Sequence, residues 1–154
     1  MVDFIYDKEA YKEEVDQAYI EALLNEFEKE LGCSNCSYSL SFASEDNIRS
    51  LNSVYRNMDE VTDILTFRLD DDDSFPMVEG EERELGDIFI CLTRMKENAS
   101  KFNVSPDEEL ARLCLHGLMH LLGYDHTTND FNSEEMLIKQ EEILKKVYPK
   151  VKKA

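Results

Sequence analysis

Between residues 110 and 122 the chain places Leu110, Ala111, Leu113, Cys114, Leu115, Leu118, Met119 and Leu121 nearly all round a helical wheel. A helix without a polar face belongs in the middle of a fold. Its start is explicit. In Ser105-Pro106-Asp107-Glu108 the serine caps, the proline suits the first helical position, and Glu108 completes a capping box. The rest of the chain must therefore supply layers that cover this segment.

The same helix carries chemistry. All three histidines of the chain, His116, His120 and His126, fall in one short segment at its end. Residues four apart share a helix face, so the imidazoles of His116 and His120 can address one metal ion. Gly123 can end the helix in a left-handed conformation, after which His126 returns from a loop as a third ligand. Three protein ligands leave a tetrahedral ion one open position, the mark of a catalytic site. Imidazole ligation favours zinc, one ion per chain. Asp125 is a candidate to orient a ligand or to shape the turn. Each ligand must be neutral, so metal affinity is expected to fall below about pH 6. The spacing equals that of the metzincin proteases, HExxHxxGxxH, except that Gly117 stands where they place the general-base glutamate. The peptidase chemistry is thereby crippled, and a glutamate restored at 117 is expected to stand beside the metal.

Around this centre, residues 2–6, 37–43, 62–69 and 86–92 read as strands. Residues 9–31 follow a helical period and read as one long helix. Ser44 caps a helix bearing Ile48, Leu51, Val54 and Tyr55, and residues 93–102 and 133–148 form further helices. Residues 70–84 read as an acidic, mobile loop. Strands and helices are interspersed without repeat or linker. The expected fold is α+β, a single domain over residues 1–154. It consists of a small mixed four-stranded sheet packed by helices around the central apolar helix, with a metzincin-like zinc site.

Composition narrows the function. With 34 acidic against 17 basic residues, the formal net charge is -17, which argues against broad, nonspecific polyanion binding. No apolar run is long enough to span a bilayer. The segment Met1-Val2-Asp3-Phe4-Ile5-Tyr6-Asp7 is acidic where a signal peptide is basic. A cytoplasmic protein with no membrane partner is the simplest expectation. Cys33 and Cys36 form a CxxC, a redox pair or half of a zinc site in principle; without a second CxxC it reads as incidental. Cys91 and Cys114 lie in apolar runs and read as small core residues.

The segment His116-Gly117-Leu118-Met119-His120-Leu121-Leu122-Gly123-Tyr124-Asp125-His126 resembles the HGxLHLxGYDH hallmark of the bacterial YbeY family of rRNA maturation endoribonucleases. Leu51-Asn52-Ser53-Val54-Tyr55-Arg56, Thr62-Asp63-Ile64-Leu65-Thr66-Phe67 and Leu85-Gly86-Asp87-Ile88-Phe89-Ile90-Cys91 resemble further family blocks. So do Glu134-Glu135-Met136 and Gln140-Glu141-Glu142-Ile143-Leu144. Val61 and Arg68 depart from the pattern, since the family often has proline at both places; Arg68 could add a basic contact. The resemblance implies one zinc on His116, His120 and His126 and hydrolysis of single-stranded RNA. It further implies action in 16S rRNA 3′-end maturation and ribosome quality control. The implied partners are that rRNA region, the small ribosomal subunit and its proteins or an assembly GTPase. It makes Arg56 the essential arginine, which read without the resemblance is equally a surface residue paired with Asp59 or Glu60. Asp63 shapes a turn or lines the cleft, and Asp87 supports the sheet edge. The competing readings are a metallopeptidase-like hydrolase and a non-catalytic ribosome-assembly factor with a structural zinc.

Overall fold

The computed structural model describes all residues except Ser34, 70–81, Thr127, Asn132, Ser133, Lys152 and Ala154. The elements run β1 (Val2–Tyr6), α1 (Glu9–Glu14), α2 (Gln17–Glu30), β2 (Cys36–Phe42), α3 (Glu45–Arg56), β3 (Ile64–Arg68), β4 (Arg83–Ile90), α4 (Leu92–Phe102), α5 (Pro106–Leu121) and α6 (Glu135–Val147). The strands form one mixed sheet of order β1-β2-β4-β3. β1 and β4 run parallel to β2, and β3 returns antiparallel along β4 as the outer strand.

Burial follows from the alternation of strand side chains. Ile88 and Ile90 on β4 are fully buried in the main core, which contains most of α5 together with Leu23, Leu24 and Phe27 of α2. Phe89, between them, points to the opposite face. There it joins a smaller cluster of Ala43, Ile48, Leu65 and Cys91 that seats α3. The apolar helix α5 is the hub: it packs on β3 and β4 and touches α2, α4 and α6. Ten of its sixteen residues are buried, and Arg112, His116 and His120 mark the one stripe that is only partly covered.

α5 lies close to the sheet because position 117 has no side chain. A Cβ built on Gly117 would come within 2.9 Å of Ile88 Cγ2 and 3.2 Å of Ile64 Cδ1. A glutamate there would therefore be driven into the two isoleucines, which overturns the expectation that it would stand beside the metal.

Three other expectations need correction. The single helix over residues 9–31 is two helices. Val15 is extended at φ -94°, ψ 128°, and the Asp16 carboxylate accepts from Tyr19 N at 3.1 Å to cap α2. A side chain that bonds its own backbone competes with helix continuation, and apolar periodicity is blind to that. β4 begins at Arg83 rather than at 86, because Arg83 and Glu84 pair with Cys36 and Ser37. Polar residues hid a strand end that only a distant partner creates; the rest of the expected acidic loop, residues 70–81, lies outside the described residues. The CxxC is not incidental. Asn35 adopts φ 54° in the turn between α2 and β2, the Cα atoms of Cys33 and Cys36 stand 6.6 Å apart, and the two sulfurs form a disulfide. Cys91 and Cys114 are free and buried.

Gly117→Glu is expected to lower stability by about 1–3 kcal/mol through overpacking, read as a reduced urea midpoint. A variant as stable as the wild type would show that α5 does not depend on close approach to the sheet.

Candidate metal centre and its cleft

The end of α5 is built to turn one ligand back towards two others. Tyr124 N donates to Met119 O and Gly123 N to His120 O, each at 3.0 Å. This is the paired bonding of a Schellman cap. Gly123 takes φ +101°, a value costly to residues with a side chain. Past this reversal, Asp125 Oδ1 accepts from His126 N at 2.8 Å, so Asp125 shapes the turn. The three imidazoles then converge. Each of His116, His120 and His126 offers a ring nitrogen, and these atoms all lie within 4.8 Å of one another. The arrangement can hold a metal ion.

Hydrogen bonds set which nitrogen faces inward. Gln140, 1% exposed on α6, donates its amide nitrogen to Glu141 Oε2 at 3.1 Å. Its oxygen is thereby turned to His116 Nδ1, 2.7 Å away. An amide oxygen only accepts, so His116 must carry its proton on Nδ1 and present a lone pair on Nε2. Glu141 is itself clamped by Arg112, whose Nε and Nη2 both donate to it at 3.0 Å. His126 Nδ1 donates likewise to Thr128 O at 2.6 Å, and Thr128 is tied to Glu134 Oε1 through its amide and its hydroxyl. Such outer partners fix the tautomer and aim of a ligating histidine. His120 completes the set, its Nε2 3.0 Å from His116 Nε2, and three convergent imidazoles suit a borderline ion such as zinc.

Burial favours the neutral form of His116 and His120. Desolvation lowers the His116 pKa, opposed by its bond to Gln140. Desolvation, followed by the proximity of His116 and His126, brings His120 down to about 4. The loss of metal expected below about pH 6 from free-histidine behaviour therefore moves to lower pH for these two ligands.

The centre opens into a cavity of about 540 Å³ walled by β3, by the turn after α5 and by Arg56 and Arg68. Arg56, the last residue of α3, donates from Nη2 to Thr66 O at 2.7 Å, and its guanidinium lies 5.8 Å from the Phe67 ring centroid. It is not paired with Asp59, which accepts instead from Arg49 Nε at 2.8 Å. Arg68 lies against Gly123, whose added Cβ would meet its Nη2 at 3.3 Å. Asp63 is absent from the wall of the metal cleft, and its side chain accepts from Asn98 rather than from local backbone. Its backbone oxygen accepts from Cys91 N at 2.9 Å, while its carboxylate accepts from Asn98 Nδ2 at 2.9 Å and lines a second cavity. Asp87 accepts from Ser39 Oγ at 2.6 Å across the sheet, away from the histidines.

Sequence reasoning missed Gln140, Thr128 and Glu134 as supports. Gln140 had a signal: it interrupts the buried stripe Met136, Leu137, Ile143, Leu144 and Val147 of α6, and a polar residue in such a stripe needs a buried partner. Thr128 and Glu134 lie in irregular chain with no periodicity to mark them.

Gln140→Leu is expected to keep the fold and lower zinc affinity about 10- to 100-fold, measured by calorimetric titration. Unchanged affinity would remove Gln140 from the support of His116. A second expectation concerns the metal-free protein. Unfolded imidazoles take up protons near pH 6.5, which His116 and His120 refuse while folded, so stability is full above about 6.5 and is lost as pH falls towards 4. Urea unfolding of chelated protein at a series of pH values checks this, and His120→Gln should flatten the slope.

The comparisons with known proteins agree with this geometry. Residues 2–148 match the family described as Endoribonuclease YbeY. A protein of that name from Clostridioides difficile is 41% identical over 150 residues, covering 95% of this chain and 97% of its own length. Another from Macrococcus caseolyticus is 46% identical over 107 residues, 69% of this chain and 68% of its own. The solution structure of TM1509 from Thermotoga maritima superposes with a TM-score of 0.63 at 29% identity, over 97% of this chain and 91% of that one. A match across nearly the whole chain, carried by full-length relatives and by the same fold, means that the chain belongs to the YbeY endoribonuclease family.

Proposed function

We propose that this protein is a zinc-dependent endoribonuclease specific for single-stranded RNA, which acts in the cytoplasm on the 3′ region of 16S rRNA and in ribosome quality control. The observation that carries the reading is the shared cavity: two guanidiniums, Arg56 and Arg68, wall the same space as His116 and His120. Cations beside a metal centre suit a phosphodiester.

His116, His120 and His126 are the residues that would hold the zinc. Bound there, zinc would polarise a phosphodiester oxygen and lower the pKa of a water to about 7. Arg56 orients the phosphate. Its bond to Thr66 O fixes the plane of the guanidinium, and the fork retains further N–H groups for a phosphate oxygen. As negative charge develops on the phosphorus oxygens, that fixed cation stabilises it without reorganising. Arg68, held over Gly123, adds a second positive wall. Position 117 supplies no general base, and the tight fit of α5 on Ile64 and Ile88 leaves no room for one.

Two basic residues in the cleft stand against a net charge of -17. Affinity for RNA comes mainly from phosphate neutralisation, so the free protein should hold naked RNA weakly. The partner expected to make up the difference is the small ribosomal subunit, with its proteins or an assembly GTPase, which would replace intrinsic affinity by effective concentration.

The test is cleavage of a 16S 3′-region RNA by zinc-loaded protein, with and without small subunits. Arg56→Ala should lose about 10²- to 10³-fold in rate with fold and zinc content intact, and Arg56→Lys should recover little, because lysine lacks the fork. Full activity of the lysine variant would remove the phosphate-fork role. Tight binding to naked RNA with no gain from subunits would remove the need for recruitment.

A further inference from the structure

His116 and Ile64 line two cavities. The first is the cleft just described. The second, of about 610 Å³, has a different chemistry. Phe102 and Phe131 stand at it 61% and 45% exposed. Val104, Leu113 and Ile64 add apolar wall, and Asp63, Asn98 and Asn129 add hydrogen-bonding groups. Arg112 is its one cation among the described lining residues. That charge is already matched by Glu108 at 3.2 Å, Glu109 at 3.1 Å and Glu141 at 3.0 Å.

This combination rejects a phosphate and suits a flat, neutral, hydrogen-bonding ring. Three carboxylates around one guanidinium, with Asp63 beside them, give the cavity a negative bias. Exposed aromatic faces offer stacking that is indifferent to base identity. The Asp63 carboxylate, oriented by Asn98 Nδ2, presents acceptor oxygens, the partners required by the amino or imino N–H of a base edge. The volume is that of an ordinary small-molecule site. His116 and Ile64 form a wall common to both cavities, with His116 Nδ1 towards Gln140 of the second and Nε2 towards His120 of the first, so the second cavity is the neighbouring space for a base next to a phosphate held in the cleft.

We propose that the second cavity is a subsite for one unpaired nucleobase next to the scissile phosphate, stacked on Phe102 or Phe131 with its donor edge towards Asp63. The proposal rests on the nuclease reading of the cleft. It gives that reading a physical source of single-strand preference: a base inside a duplex is stacked and paired on both sides and cannot enter without being flipped out.

The experiment uses zinc-loaded full-length protein and a set of single-stranded RNA oligonucleotides around the cleaved bond, each with one abasic position. Cleavage and equilibrium binding are both measured, binding in chelator so that no bond is cut. One abasic position should cost the wild type about tenfold in both readouts. The double variant Phe102→Ala/Phe131→Ala should lose about as much on intact RNA and nothing further at that position, since the two changes remove the same contact. Both rings are exposed, and circular dichroism verifies that the variant is folded. Cleavage that is insensitive to every abasic position, or a penalty that persists in the double variant, would overturn the subsite and leave the nuclease standing. A protein that cuts nothing, yet whose binding shows the position-specific loss cancelled by the double variant, would keep the base subsite and remove the nuclease reading. Insensitive binding in such a protein would remove both.

Discussion

The metal centre depends on one amide. Gln140 stands between a carboxylate that accepts from its nitrogen and an imidazole that must donate to its oxygen. Reverse that amide and Glu141 would meet an acceptor while His116 Nδ1 would face a donor. His116 would keep a bond only by shifting its proton to Nε2, which removes the lone pair from the side facing His120. The direction of the amide is set in turn by Arg112, which fixes Glu141 with two bonds. The Arg112 guanidinium, one turn before His116 on α5, thus decides, through a carboxylate and an amide, which nitrogen of His116 carries the proton. His126 reaches the same state by an independent route through the Thr128 carbonyl.

Much of this was legible in the sequence where a local rule applied. The apolar circumference of α5 predicted its central place. The four-residue spacing of His116 and His120 and the glycine before His126 predicted the convergence. Ser44 and Ser105 cap α3 and α5 through Asn47 N and Glu108 N, as their types suggest. The sequence was silent where a distant partner decides. Arg83 and Glu84 become strand only because Cys36 and Ser37 lie alongside. The glutamate imagined at 117 was aimed at the metal by analogy of spacing. Whether its Cβ has room is decided by how closely α5 meets Ile64 and Ile88 of β3 and β4, which no spacing encodes. The break at Val15 was a local event, missed because hydrophobic period outweighed the capping capacity of Asp16.

The two cavities show how an acidic chain can address a polyanion. Arg56 and Arg68 wall the first cavity with His116 and His120, while Arg112, at the second cavity, is matched by its glutamates. On the proposed reading the phosphate would meet the first wall and a base the second, so that recognition would rest on the local wall and not on the surface average.

α6 supports two ligands, one from its N-terminal cap and one from its middle. Glu134, at its cap, ties down Thr128 and through it His126, and Gln140, a turn and a half further on, aims His116. During synthesis the ribosome releases these supports after the histidines themselves. A nascent chain that has emerged only as far as residue 126 has all three imidazoles and no instruction for their tautomers. The bonds that set the tautomers of His116 and His126 therefore come from chain made after the ligands, and any metal captured earlier would meet imidazoles that nothing yet aims.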